Sequence, residues 1–183
     1  DVFFAERIAL HEANSDRHRR AIVERARKAG IKLASHDDTT LDHVAESIGD
    51  GVAIAEFPTT AEAARASAEG GIAVMMGAPN IIRGGSHSGN VAAIELARAG
   101  TLDVLSSDYV PASLLHAAFE LPRLVAGLSL PAAIATVTAN PATAAGLDDR
   151  GAIEAGRRAD LVRVRHGAVP VVRGVWRGGI RVC

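Results

Sequence analysis

Four short β-like runs, IKLAS (31–35), GVAIAEF (51–57), GIAVMMG (71–77) and LDVLSSD (102–108), alternate with stretches of helical periodicity. Apolar spacing predicts helices over 15–29, 41–48, 60–68, 90–99 and 112–119. Along the first, Ala21, Ile22, Ala26 and Ala29 share a face, and Gly30 follows as a C-cap. Thr59 or Thr60 caps the third. The apolar runs begin near residues 31, 52, 72 and 103, so the third step is longer and its extra length falls in the loop 77–90. Short apolar strands alternating with helices read as a parallel sheet covered by helices. Four such units make half of an eight-fold barrel or an open doubly wound sheet. No G-x-G-x-x-G follows a strand, which argues against a dinucleotide fold.

Polar residues stand just beyond the strands: His36, Glu56, Asn80 and Asp108. In parallel α/β folds, functional groups gather at the carboxyl ends of strands. After residue 120 the pattern changes. LSLPAAIATVTANPATAAGL (128–147) predicts an apolar helix ended by Asn140-Pro141, then a short helix closing at Gly146. Beyond it lie short β-like runs separated by glycines. These divide the chain into an α/β region, 1–146, and a small β subdomain, 147–183, with too few strands to bury a core alone.

Composition narrows the classes. The 183 residues are 48% hydrophobic and 22% charged, as in a globular protein. A net charge of −1 gives no field for gathering nucleic acid or an anionic membrane, so any anion site is local. The one cysteine, Cys183, excludes an intrachain disulfide and points to a reducing compartment, the cytoplasm. No apolar run approaches the roughly 20 residues needed to cross a bilayer. The opening DVFFAERIAL has neither an initiating Met nor a signal-peptide layout and reads as the interior of a longer protein.

The run TANPATAAGL…RGAIEAGRRADLVRV resembles the C-terminal end of amidohydrolase-superfamily enzymes. ASHDDTT, AEFPTT, MMGAPNIIRGGSHSGN and SSDYVPASLLHAAF, in that order, resemble a diphosphatase branch serving phosphonate metabolism. That resemblance implies a TIM-type (β/α)8 barrel followed by a β-sandwich portion. This chain would supply the C-terminal half of the barrel, strands five to eight. It implies a divalent metal ion (zinc, manganese or magnesium) and a small-molecule substrate, a ribose 5-triphosphate with methylphosphonate at C1, from which pyrophosphate is released. His36 then matches the fifth-strand metal ligand and Asp108 the eighth-strand one. Glu56 stands where the sixth strand normally offers His.

The superfamily's His-x-His is absent, and neither lysine fits the bridging role. Lys28 sits on a charged helix, and Lys32 lies roughly 13 Å before His36 along an extended strand. The remaining ligands would come from an N-terminal half. A half barrel exposes edge strands, so association with that half or homo-oligomerisation is expected.

Each candidate has two readings. His36 is a metal ligand or a structural histidine ending a strand. Asp108 binds metal and accepts a proton from the attacking water, or caps the next helix. Asp37 orients His36 or the loop, and Asp38 caps the helix near Leu41 or serves the site. Arg83, Gly84, Gly85, Ser86 and Asn90 form a phosphate-binding loop before a helix, with Arg83 as bidentate clamp, or an ordinary glycine-rich turn. His87 protonates the leaving pyrophosphate or donates a hydrogen bond. Glu56 is a ligand, supports one, or accepts a hydrogen bond at the barrel mouth. His116 reads as packing, and Arg157, Arg158, Arg163 and Arg165 as a solvated face. The other enzymatic reading is C–N hydrolysis of a cyclic amide or amidine. A non-catalytic fragment is the third.

Overall fold

The computed structural model describes residues 2–86 and 88–183. It divides into two units, residues up to Leu33 and Ala34–Cys183.

The first unit is helix α1 (Val2–Ala29), which ends at Gly30 with φ 64°. It is longer than the spacing predicts because residues 2–29 contain neither Gly nor Pro to break it. Its apolar side chains Val2, Phe3, Phe4, Ile8, Leu10 and Ile22 are exposed.

The second unit opens with a βα alternation: β1 (Leu33–His36), α2 (Leu41–Asp50), β2 (Val52–Glu56), α3 (Ala61–Glu69), β3 (Ala73–Gly77), α4 (Ala78–Arg83), α5 (Ala93–Ala99), β4 (Val104–Ser106) and α6 (Ser113–Leu124). The four strands form one sheet in the order β1-β2-β3-β4. Pairing is parallel from β2 to β3 and from β3 to β4, with Glu56 opposite Met75 and Met76 opposite Leu105. Val74 and Met76 of β3 are buried, together with Ala64, Leu96, Ala117 and Leu121 of the covering helices. Small helix residues over a β-branched and methionine strand keep the helices close to the sheet.

Local caps fix where the helices start. Thr40 accepts the His43 N–H at 3.3 Å and Thr60 the Ala63 N–H at 3.1 Å. Asp38 therefore does not cap α2. Its buried carboxylate accepts the Ser35 hydroxyl at 2.6 Å and the Ser47 hydroxyl at 3.2 Å, tying β1 to α2.

Two stretches depart from expectation. Residues 78–83 are helical, with Pro79 in the first turn where its missing N–H does no harm, and Gly84 closing the helix at φ 83°. The next helix starts at Ala93, not Asn90, because Asn80 Oδ1 accepts the Ala93 N–H at 3.0 Å. In 128–147 the first helix, α7 (Leu130–Ala135), stops early, and α8 (Ala139–Ala144) includes Asn140 and Pro141. The cause is a pair of bonds to the sheet. Thr136 O accepts the Leu105 N–H at 2.9 Å, and Asn140 Nδ2 donates to Asp103 O at 2.8 Å.

The chain ends in an antiparallel sheet of β5 (Leu161–Arg165), β6 (Val171–Arg177) and β7 (Ile180–Arg181). Trp176 lies over Gly174, where a Cβ would come within 2.8 Å of its ring, and Arg163 and Arg181 flank that ring at 5.9 and 6.0 Å. Arg123 of α6 donates to Gly167 O and Ala168 O in the β5–β6 turn. Charge divides unevenly along this unit. Residues 34–160 carry seven arginines against sixteen Asp and Glu, a net of −9; residues 161–183 carry five arginines and no acid. Among the described residues, no helix is long and apolar enough to cross a membrane.

Candidate active site

The strand ends bring His36, Glu56 and Asp108 to the carboxyl edge of one sheet. His36 closes β1, Glu56 closes β2, and Asp108 follows β4 by two residues. His36 Nε2 lies 3.8 Å from Glu56 Oε2, and its Nδ1 lies 3.2 Å from Asp37 Oδ2. The His36 side chain is 60% exposed, so it is open to a ligand and is not a core histidine. A carboxylate thus stands beside each ring nitrogen, Asp37 at Nδ1 and Glu56 at Nε2.

Among the described residues, three non-glycine residues have positive φ: Asp37 at 59°, Phe57 at 56° and Asp108 at 50°. All follow strands on this edge. Such a conformation costs of order 1–3 kcal/mol per residue and persists where its surroundings impose it. At Asp37 the N–H donates to Glu56 O at 3.0 Å; at Phe57 it donates to Met75 O at 2.9 Å. The sheet ladder thus runs on past the strands and holds both turns.

Asp108 caps no helix. The residue before α6 is Ala112, which makes no side-chain capping bond. The Asp108 N–H donates to Ser106 Oγ at 3.1 Å, and the carboxylate packs over Gly77, whose Cβ would stand 3.0 Å from Oδ2. Next to it, the Tyr109 hydroxyl accepts from the Arg83 guanidinium at 3.1 Å. That contact ties the end of α4 to the residue after Asp108.

Among the described residues of the loop, Gly84 and Gly85 do not present the free backbone N–H groups expected of them. Gly84 N–H donates to Asn80 O and Ile81 O, and Gly85 N–H to Asn80 O at 3.0 Å, so both are spent closing α4. Ser88 N–H donates to Ser86 Oγ at 3.2 Å. Asn90 is exposed and lies three residues before α5. The expectation for His87 lies outside the described residues. Asn80 proves to be a tether for α5, and His116 sits 3.7 Å from Glu120 within α6.

Gly77, Phe57 and Tyr109 also shape this edge of the sheet. A glycine ending an otherwise bulky strand was a visible signal for the first. The others act through contacts between distant loops and left no trace in spacing.

The profile of the amidohydrolase family matches residues 6–179. The chain belongs to the amidohydrolase family. This amidohydrolase is 54% identical over 179 residues to the alpha-D-ribose 1-methylphosphonate 5-triphosphate diphosphatase of Escherichia coli K12. The match covers 97% of the chain and 47% of that relative, so the chain spans less than half of the relative's length. Among solved structures it resembles an uncharacterised protein, with TM-score 0.67, 22% identity and 90% of this chain on 48% of the other. It also resembles an amidohydrolase, with TM-score 0.61, 22% identity and 89% of this chain on 47% of that one. These likenesses place the parallel sheet as half of a TIM-type barrel, one of the two architectures left open by the strand pattern and the one implied by the family resemblance.

Members of this family generally use divalent metal ions. Among the described residues, no group of three or more His, Cys, Asp or Glu is placed to hold one. The pair His36 Nε2 and Glu56 Oε2 nevertheless fits part of such a site. An imidazole nitrogen and a carboxylate oxygen face each other at 3.8 Å, and the imidazole's far nitrogen lies against a second carboxylate, a support that metal-binding histidines commonly have. The donor chemistry suits a divalent ion, and the described residues supply an incomplete set.

Proposed function

We propose that this chain is the strand-five-to-eight portion of a metal-dependent hydrolase that releases pyrophosphate from alpha-D-ribose 1-methylphosphonate 5-triphosphate. The observation that carries the reading is the 54% identity, across 97% of the chain, to a diphosphatase of that name. The grouping of His36, Glu56 and Asp108 at the strand ends supports it.

In this reading His36 and Asp108 hold the ion, with Glu56 facing His36. When bound, the ion supplies Lewis-acid stabilisation of the phosphate oxygens and lowers the pKa of attacking water. Asp108 takes the proton as water adds to phosphorus. The phosphoanhydride breaks, and pyrophosphate leaves the sugar 5-phosphate. Arg83, steadied by Tyr109, contacts the phosphate chain in place of the backbone N–H groups that close α4. Residues 1–146 form the barrel portion and 147–183 the β subdomain, and the protein works in the cytoplasm.

Pyrophosphate release by the full-length protein with added zinc, manganese or magnesium tests the reading. His36→Ala and Asp108→Asn should each lower kcat/KM by at least ~100-fold while the fold survives. Full activity in both variants, or hydrolysis of a cyclic amide with none of the triphosphate, would refute it.

A further inference from the structure

In an extended strand, neighbouring side chains point to opposite faces. Glu56 and Phe57 are neighbours, yet both reach the same imidazole. The Glu56 carboxylate lies 3.8 Å from His36 Nε2, and the Phe57 ring stands edge-to-face on the His36 ring, with centroids 5.6 Å apart and planes at 80°. The left-handed turn at Phe57, φ 56°, brings the two side chains to one side. Its backbone is held by the N–H bond to Met75 O, and its half-buried ring packs against the core. The ring therefore rests on the rigid sheet, while His36 itself is largely exposed.

We infer that Phe57 is a positioning residue for His36. Asp37 fixes one nitrogen of the imidazole but leaves the ring free to swing about that contact. The Phe57 ring removes this freedom and keeps Nε2 turned toward Glu56. An edge-to-face aromatic contact suits the task because it prefers one ring orientation, as an aliphatic contact does not. The consequence for an ion rests on the site reading above; the orientation of His36 does not.

The test uses the full-length protein, first without metal. Nuclear Overhauser contacts between the His36 and Phe57 rings are expected, with one set of His36 ring signals. In Phe57→Leu those signals should shift, and in Phe57→Tyr they should stay. Zinc alone, added in a calorimetric titration, should bind about 10-fold more weakly to Phe57→Leu and within about twofold of wild type to Phe57→Tyr. Where Phe57→Leu fails to fold, Phe57→Gly removes the ring at a backbone angle that glycine adopts freely. Unmoved His36 signals overturn the inference, as does undiminished zinc affinity in a folded Phe57 variant when His36→Ala itself loses zinc. His36→Ala separates the two ideas: if it takes zinc as wild type does, the ligand reading fails and the ring signals alone decide the role of Phe57.

Discussion

Gly77 shows how narrowly the site is built at the level of single atoms. Its φ of −73° is open to any residue, so conformational freedom does not explain a glycine there. Space does, because a methyl group would stand 3.0 Å from Asp108 Oδ2. Gly77→Ala should push that carboxylate by a few tenths of an ångström and lower kcat/KM by about 10-fold, since catalytic geometry tolerates little displacement. Thermal melting should change little, and wild-type kinetics in a folded Gly77→Ala protein would show that Asp108 has room to spare. His36 makes the converse point. Its neighbours Asp37, Glu56 and Phe57 all contact a ring that is otherwise largely exposed.

Elements carry the burden of placing those atoms, and here the sequence was readable in some parts and silent in others. The order of strands was legible because each run is short, apolar and spaced by one helix. The threonine cap at Thr60 was readable because it obeys a local rule, one side chain answering an N–H three residues on. What stayed hidden depends on partners far along the chain. Asn80 sets the start of α5 from thirteen residues away, and Thr136 ends its own helix by giving its carbonyl to Leu105. Gly84 and Gly85 looked like an anion cradle because composition cannot say which carbonyl an N–H will find. Asp38 looked like a cap for the same reason, and its true role predicts a different loss. Asp38→Ala should destabilise the fold by about 2 kcal/mol, because the buried Ser47 hydroxyl loses its acceptor, while Asp38→Asn should cost less than half of that. Urea denaturation of both variants checks the ordering, and equal losses would count against it.

For the whole molecule, the uneven charge described above governs how a polyanion arrives. The α/β stretch that carries the strand ends has a net charge of −9, and the proposed triphosphate carries the same sign. On the proposed reading, that sign opposes encounter, where many enzymes with charged substrates gain from attraction. Added salt should then speed the reaction. Raising potassium chloride from ~10 mM to ~150 mM shortens the screening length from about 30 Å to about 8 Å and should raise kcat/KM severalfold at fixed divalent ion. Viscosity-dependent kinetics at each salt level would show whether the gain lies in encounter, and a fall in rate would mean that the missing stretch reverses the field. The cationic sheet at 161–183 adds a separate effect: on a cation exchanger at low salt, a chain of net charge −1 should still bind, held by that sheet. On the proposed reading, surface acids and arginines that touch no reacting atom thereby set the ionic strength at which pyrophosphate release runs fastest.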